Sequence, residues 1–310
     1  MSAAITTPES RAELAAVDAR TISGRAKKGL TSPWASFFAV VIAILWTLPT
    51  FGLFLSSFRP EIAIKTTGWW TWFTNPEVTF DNYEEVLFGG DTELATYFVN
   101  SFVITIPSVI IPLTIACLAA YGFAWMRFPF RDTVFVAVFA LQIVPLQVAL
   151  IPLLQMYVNP PLGLPSVAGT FWTVWLSHSI FALPLAIFLL HNFMKEVPRE
   201  LIEAARVDGA GHVTIFARIM LPLVMPAIAA FGIFQFLWVW NDLLVALVFA
   251  GGTQDVAPLT VRLAELQGNR GGDWHLLSAG AFVSIIVPVI VFISMQRYFV
   301  RGLLAGSVKG

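Results

Sequence analysis

The sequence predicts an all-α integral membrane protein with six transmembrane helices. Hydrophobic residues make up 57% of the 310-residue chain and charged residues only 12%, whereas about a quarter of the residues in an ordinary soluble domain are charged. Long, nearly charge-free apolar runs recur along the chain, and about twenty apolar residues suffice to cross a bilayer as a helix. These two observations exclude a typical soluble fold.

The first apolar run, residues 34–57, follows a polar segment at 1–33 that carries five cationic side chains. This run is too long for a signal-peptide core and has no evident small-residue cleavage site, so we expect a retained spanning helix. Pro49 predicts a bend or a break within it. The six predicted spans are, in chain order, residues 34–57, 95–126, 133–157, 168–192, 221–249 and 276–295.

Composition also defines a loop at 59–94 and a turn within residues 133–194. Residues 59–94 form a largely polar loop with an aromatic cluster, which is typical of segments at the lipid headgroups. The cluster consists of Trp69, Trp70, Trp72 and Phe73. Residues 133–194 contain no Asp, Glu, Lys or Arg, but the turn signal at 159–163 divides them into two helices.

The distribution of cationic residues predicts the orientation. Fourteen of the eighteen Lys and Arg residues lie in one set of alternate connections, and four lie in the other. Because cationic loops stay in the cytoplasm, we expect both termini and the segment 195–222 to be cytoplasmic, with an outer loop at 250–276. The chain is then one membrane domain, 34–300, between a cytoplasmic tail at 1–33 and another at 301–310.

The segment 195–222 has the pattern of a helix, a turn and a second helix outside the bilayer. Pro198 suits the first helical turn, and Leu201, Ala204 and Ala205 then repeat at helical spacing. Small residues on that face would let a partner come close. Residues 208–211 form the turn, after which a second apolar face leads into the fifth span.

The order Glu-Ala-Ala, three residues, Gly, nine residues, Ile-x-Leu-Pro resembles the cytoplasmic "EAA" loop of ABC-importer permeases. The matching residues are Glu203, Ala204, Ala205, Gly209, Ile219, Leu221 and Pro222, with Asp208 and Phe216 as in the carbohydrate-uptake branch that includes the maltose importer. The resemblance implies a type I ABC importer permease fold and a loop that inserts into a groove of the ATP-hydrolysing subunit. The alternative is two solvated short helices, with Arg199 and Glu203 as an i,i+4 pair of a few tenths of a kcal/mol.

Two further segments extend the resemblance. The tail from Gln296 resembles the end of the second permease subunit of maltose-type importers, whose last residues reach the interface between the ATPase subunits. That places at this interface Gly306, Ser307, Val308, Lys309 and Gly310. A frayed basic terminus is the alternative.

By the same resemblance, the outer loop at 250–276 corresponds in position to the family's loop that reaches into the sugar-binding cleft of the binding protein. Its candidate residues are Gln267, Asn269 and Arg270. An ordinary glycine-rich surface loop is the alternative. Residues 56–60, 68–70 and 82–83 resemble the α-glucoside members of the family.

No phosphate loop of the form Gly-x-x-x-x-Gly-Lys-Ser/Thr occurs, so energy has to come from a partner or from a gradient. There is no Cys/His metal cluster and no nucleophile elbow, and the single Cys117 cannot form an internal disulfide. We therefore expect no metal site, no cofactor in this chain and no enzymatic activity. The resemblance implies that ATP and Mg²⁺ bind to the partner ATPase subunits.

Polar side chains in the fifth span are the best candidates for a substrate path, because sugars bind to amides, carboxylates and aromatic faces. The candidates are Gln235, Trp238, Asn241 and Asp242, with weaker ones at Gln142, Gln147, Ser177, His178 and Ser179. Alternatively, Asn241 and Asp242 tie adjacent helices together. In the maltose importer, which this chain resembles, the sugar is held mainly by the other permease subunit.

The resulting hypothesis is a permease of an ATP-driven, binding-protein-dependent importer of an α-glucoside or maltose-like sugar in the bacterial cytoplasmic membrane. Its expected partners are a second, non-identical permease, two ATP-binding subunits, a sugar-binding protein outside the cell and membrane lipid, with no nucleic acid. An ion-gradient transporter is the main alternative, although Asp242 is the only Asp, Glu, Lys or Arg well inside a predicted span. Importers of polyols or glycerol-phosphate derivatives also remain open, and a membrane-embedded enzyme is a distant third.

Overall fold

The computed structural model of the protein describes residues 33–89, 93–267 and 272–307, and every regular element in these ranges is helical. The predicted N-terminal tail at 1–32 lies outside the described residues. We number the α-helices in chain order. They are α1 (Pro33–Ser57), α2 (Glu61–Thr66), α3 (Asp81–Phe88), α4 (Ala95–Trp125), α5 (Arg131–Ala140), α6 (Leu146–Val158), α7 (Phe171–Lys195), α8 (Arg199–Val207), α9 (His212–Trp240), α10 (Leu244–Phe249), α11 (Leu259–Leu266) and α12 (Trp274–Ser307).

Five helices among the described residues are long and apolar enough to cross a membrane, and a bent pair can supply a sixth span. The five are α1, α4, α7, α9 and the first part of α12, and the bent pair is α5 with α6. The predicted all-α membrane fold is therefore confirmed. One expected break is absent, because α1 continues through Pro49 as a single helix.

The third span differs from the prediction, which placed one helix at 133–157. Its two halves, Arg131–Ile143 and Leu146–Val158, meet at an angle of 102°. Val144 has an extended ψ of 118° between them. A residue before proline is forced out of the helical region by the proline ring, so Pro145 accounts for the break.

The fifth span also differs from the predicted helix at 221–249. The helix begins at His212, so the second helix of the cytoplasmic segment and the span are one continuous rod. It ends at Trp240, and α10 begins after a short turn. The last span, Trp274–Met295, agrees with the predicted 276–295, and its helix α12 continues beyond the span to Ser307.

The outer segment at 59–94 is folded, whereas a largely polar loop was predicted. It contains α2, a 3₁₀ turn at Trp69–Phe73 and α3, and α3 packs against α12. Buried Arg59 donates to the Ala63 carbonyl and to two threonine hydroxyls. Buried Asn82 donates to the carbonyls of Ser57 and Arg59. These bonds satisfy polar groups that would otherwise make the packing unfavourable.

The centre of the bundle is the long contact between α4 and α7, and α9 packs against both of these helices. One buried apolar cluster connects these three helices with α8. Its members include Tyr121, Met194, Ile202, Ile215 and Met220. The short helix α8 is therefore attached to the spans through a common core.

Candidate functional site

The candidate coupling segment begins with α8 and closes with a tight turn. Gly209 has φ +83°, a left-handed conformation that glycine adopts without steric cost. Its N–H donates to the Arg206 carbonyl, and the Ala210 N–H donates to the Ala205 carbonyl. This pair of bonds is the Schellman arrangement that ends many helices. The predicted helix and turn are both present, and the geometry explains why glycine stands at position 209.

Different faces of α8 have different surroundings. Ile202 is 1% exposed and Ala205 packs against the same core cluster, so this face holds the helix to the bundle. Leu201 is 47% exposed and Val207 is 87% exposed. Ala204 is exposed as well. An exposed face with small and apolar side chains is available to a partner.

The second half of the segment is fixed by aromatic and apolar contacts. The Tyr121 hydroxyl lies 2.9 Å from His212 Nδ1, and its ring packs edge-on against Phe216 at 5.2 Å. Ile219 and Leu221 are partly buried against the core cluster. Phe216, Ile219 and Leu221 therefore pack the start of α9, just after the turn, against α4 and the core cluster.

Residues Phe216–Met220 form a π-helical turn inside α9. Pro222 lies two residues beyond it, without an N–H and with a ring that crowds the carbonyl of Arg218, four residues earlier. A wider turn relieves this crowding, and single π turns are frequent at functional sites. The proline of the motif thus coincides with an irregular helical turn at the entry to the fifth span.

Glu203 and Asp208 are both exposed on the segment. Arg199 and Glu203 have the i,i+4 spacing of an ion pair, but they form none in the described part of the chain. The ion pair that was expected to stabilise two solvated short helices, the alternative to a docking segment, is therefore not formed. Glu203 instead lines a cavity with cationic side chains of α7, of α8 and of the segment 127–131 that follows α4.

The polar residues of the fifth span do not converge on one site. Gln235 is 1% exposed and donates from Nε2 to the Ser108 carbonyl at 3.2 Å, which ties α9 to α4. Asn241 is exposed and donates to the Leu237 carbonyl in its own helix. Trp238 and Asp242 both approach buried His178, which Trp238 meets edge-on at 5.5 Å. His178 Nε2 is 3.6 Å from Asp242 Oδ2.

Trp238 also lines a cavity of about 440 Å³ beside the break in the third span. Gln142, Pro145, Leu146, Ile180 and Phe181 line the same space. The cavity offers one indole face and one amide, which is too little polar surface to bind a sugar without further groups. Of the weaker candidates, Ser177 and Ser179 are buried and donate to carbonyls within α7.

The Asp242 carboxylate acts as the cap of α10. Its two oxygens accept hydrogen bonds from the N–H groups of Val245 at 3.3 Å and Ala246 at 2.9 Å. A carboxylate at this position satisfies helix donors that have no partner within the helix. This geometry favours a structural tie for Asp242, the alternative that the sequence left open.

Asp242→Ala is expected to lower the free energy of unfolding by about 1–2 kcal/mol, because it removes both capping bonds. Asn241→Ala is the matched control, and we expect a change within about 0.5 kcal/mol because that side chain is exposed. Thermal unfolding of the purified protein in detergent measures both. Equal melting temperatures for Asp242→Ala and the wild type would show that the cap contributes nothing.

The predicted tail and loop residues are only partly described. Gly306 and Ser307 are the last residues of α12, whereas Val308, Lys309 and Gly310 lie outside the described residues. Gln267 follows the last turn of α11. Asn269 and Arg270 also lie outside the described residues. Their proposed contacts with partners therefore stay predictions.

The cationic residues beside α8 predicted topology from the sequence, and Arg199 also a pair with Glu203, but nothing in the sequence predicted that they gather in one place. They line one cavity together, and they come from three separate segments of the chain. No local pattern signals this cluster, because it forms only when α7 and the turn after α4 are packed side by side.

Known proteins resemble this chain over most of its length. The family described as "Binding-protein-dependent transport system inner membrane component" matches residues 22–304. A protein of Synechocystis sp. described as "Osmoprotective compounds uptake permease protein GgtD" is 55% identical over 274 residues, which cover 87% of this chain and 90% of that one. The "Alpha-glucoside transport system permease protein AglG" of Rhizobium meliloti is 53% identical over 237 residues, 76% of this chain but only 62% of that protein.

A solved structure shares the fold. It is titled "Crystal structure of a bacterial ABC transporter involved in the import of the acidic polysaccharide alginate", and one of its chains matches with a TM-score of 0.67. The match covers 86% of this chain and 98% of that one at 19% sequence identity. At this level of identity the likeness concerns the fold alone.

Proposed function

This chain belongs to the family of binding-protein-dependent transport system inner membrane components, and on that premise we propose that it imports an α-glucoside or a related di- or oligosaccharide. It is a multi-pass permease of an ABC importer in the inner membrane. The family match over residues 22–304 carries the transport class. The substrate is the further step, and it rests on the relatives.

The relative described as an α-glucoside permease supports the sugar, since it is 53% identical to this chain. The relative described as a permease for osmoprotective compounds is 55% identical and supports a second candidate, an osmoprotective solute. Trp238 and Gln142 beside the third-span break offer the indole face and amide that hydroxyl-rich ligands use. A second, non-identical permease would supply the remaining polar groups of the site.

Energy would reach the permease through the segment 195–222. Two ATPase subunits, with ATP and Mg²⁺ bound to them, would hold the exposed face of α8 and move it as they close. The buried contacts of Ile202, Ile215 and Met220 make α8 and the start of α9 one mechanical unit. Movement of α8 would therefore be passed to the fifth span through Pro222 and Pro226, so that nucleotide binding stabilises one of two states of the bundle.

The surrounding assembly follows from the same proposal. Both termini and α8 face the cytoplasm, where the ATPase subunits are, and the tail from Gly306 reaches the interface between them. On the opposite side, the outer loop at 250–276 contacts an extracytoplasmic sugar-binding protein. The excess of Lys and Arg on the α8 side supports this orientation.

Uptake by the reconstituted importer tests the substrate. Proteoliposomes would contain this chain, the second permease and the ATPase subunits, with the sugar-binding protein added outside. We expect ATP-dependent accumulation of radiolabelled maltose, with competition by other α-glucosides and none by glycerol 3-phosphate. Competition by glycerol 3-phosphate or by a polyol alone would move the substrate to those classes.

The same preparation tests the transport class. This chain reconstituted alone is expected to show no uptake, with or without an ion gradient. Uptake without ATP that an ionophore abolishes would instead indicate an ion-gradient transporter.

A further inference from the structure

A cavity of about 440 Å³ opens between α8 and the ends of α4 and α7, on the same side of the bundle as the turn between α4 and α5. Its lining is unusual because cationic side chains dominate it. They are Arg127, Arg131, Lys195, Arg199 and Arg206. Glu203 is the one carboxylate that lines this cavity in the described part of the chain.

Most of these cations have no anionic partner among the residues that the structure describes. Arg131 is 2.9 Å from Asp132, which makes the one ion pair seen in the cluster among the described residues. Arg127, Lys195, Arg199 and Arg206 form no ion pair there. Like charges held this close repel each other, and a multivalent anion in the cavity would relieve the repulsion.

The surroundings of the cavity are those of a membrane surface. Trp125, at the last turn of α4, lines the cavity, and its indole N–H donates to the Met194 carbonyl at 3.0 Å. Tryptophan at the end of a span is typical of the headgroup region. Phe130 is 78% exposed and Phe128 is 40% exposed, and both line an adjoining cavity with Arg127 and Arg131. Exposed aromatic rings beside arginines suit contact with acyl chains and headgroups at once.

We propose that this cavity binds the phosphate of an anionic phospholipid headgroup, with Phe128 and Phe130 against the acyl chains. Arg127 and Arg131, which line the adjoining cavity together with these rings, would contact the headgroup phosphate. Lys195, Arg199 and Arg206 surround the rest of the headgroup. Basic cavities between transmembrane helices recognise anionic lipids by this combination of charge and position. The bound lipid would hold α8 against the turn between α4 and α5.

A docked ATPase subunit is the other conceivable source of negative charge, but the geometry of α8 favours the lipid. Arg199, Glu203 and Arg206 repeat at i, i+4 and i+7, so they share the face that lines the cavity. Leu201 and Ala204 lie on the opposite side of the helix at 100° per residue. A partner that docks on the exposed face would therefore leave the cavity free for a lipid. The lipid site therefore goes beyond the proposed function and does not depend on the substrate.

Native mass spectrometry of the assembled importer in a non-ionic detergent tests this site, with phosphatidylglycerol or phosphatidylcholine added. The wild type is expected to retain phosphatidylglycerol in preference to phosphatidylcholine. The double variant Arg127→Gln/Lys195→Gln is expected to bind phosphatidylglycerol roughly 30-fold more weakly, at about 1 kcal/mol for each cation removed. The control Lys65→Gln/Arg218→Gln removes the same charge outside the cavity and is expected to bind as the wild type does.

Four outcomes would overturn the proposal, three of them in the experiment with lipids and variants and one in a parallel arm with phosphate. The first is equal retention of both lipids, and the second is a double variant that keeps phosphatidylglycerol as tightly as the wild type. The third is loss of the ATPase subunits from the double variant in lipid-free detergent, which would assign the cavity to that interface. A parallel arm with excess inorganic phosphate separates the lipid from a free anion, since phosphate that stabilises the protein as well as phosphatidylglycerol would contradict a lipid site.

Discussion

Gly209→Pro is expected to abolish substrate uptake while the chain still inserts into the membrane. Proline fixes φ near −65°, whereas Gly209 has φ +83°. The substitution also removes the N–H that donates to the Arg206 carbonyl, and a following proline disfavours the ψ of 5° that Asp208 has. Together these effects cost at least about 3 kcal/mol in the turn. The exposed face of α8 would lose its orientation, but the spans do not depend on this turn.

Gly211→Ala is the matched control, because Gly211 has φ −79° and no atom lies within 4 Å of the Cβ position. We expect uptake close to that of the wild type. Gly209→Ala has equally open space and differs only in φ, so it should fall between the two. Uptake in cells with the complete importer measures activity, and immunoblots of membranes measure insertion. Normal uptake by Gly209→Pro would refute a role for this turn in coupling.

Glu203→Lys is expected to lower uptake about 100-fold. Glu203 lines the cationic cavity, but it is also exposed and lies one helical turn before Val207 of the exposed face, so a lysine here places a cation beside the docked partner. Reversed charge at a docking surface costs several kcal/mol, and about 3 kcal/mol corresponds to this loss. Copurification of the ATPase subunits with the permease reports the same defect.

Glu203→Gln separates charge from shape, since it keeps the size of the side chain. It is expected to retain a measurable part of the uptake, because it removes one charge and introduces no repulsion. Wild-type uptake in Glu203→Lys, with normal ATPase copurification, would show that this carboxylate has no part in docking.

Hydrophobic content and charge distribution were enough to predict the spans, because lipid imposes length and polarity on every membrane helix. They could not predict the breaks. The bend before Pro145 and the end of α9 at Trp240 depend on local backbone conformation and on the Asp242 cap. Pro49, with the same local signal, leaves α1 continuous. Proline therefore marks a candidate break, and packing decides whether it forms.

In the candidate site, too, local features were predictable from the sequence and long-range groupings were not. The turn at Gly209 was predictable because the sequence pattern is local, and the Schellman bonds are formed by residues 205–210. The polar residues of the fifth span were expected on one helical face, but the helix ends between Trp238 and Asp242. The cationic cavity joins residues from α4 to α8, and such long-range groupings are invisible in a local pattern.

Site-specific photo-crosslinking tests the proposed docking of α8 most directly. A photoreactive side chain would replace Leu201 or Val207 on the exposed face of α8, with Ile290, 59% exposed on α12, as the control position. We expect both α8 positions to crosslink to the ATPase subunit and the Ile290 position to give no such adduct. The absence of an ATPase adduct at Leu201 and Val207, in an importer that still transports, would contradict coupling through this helix.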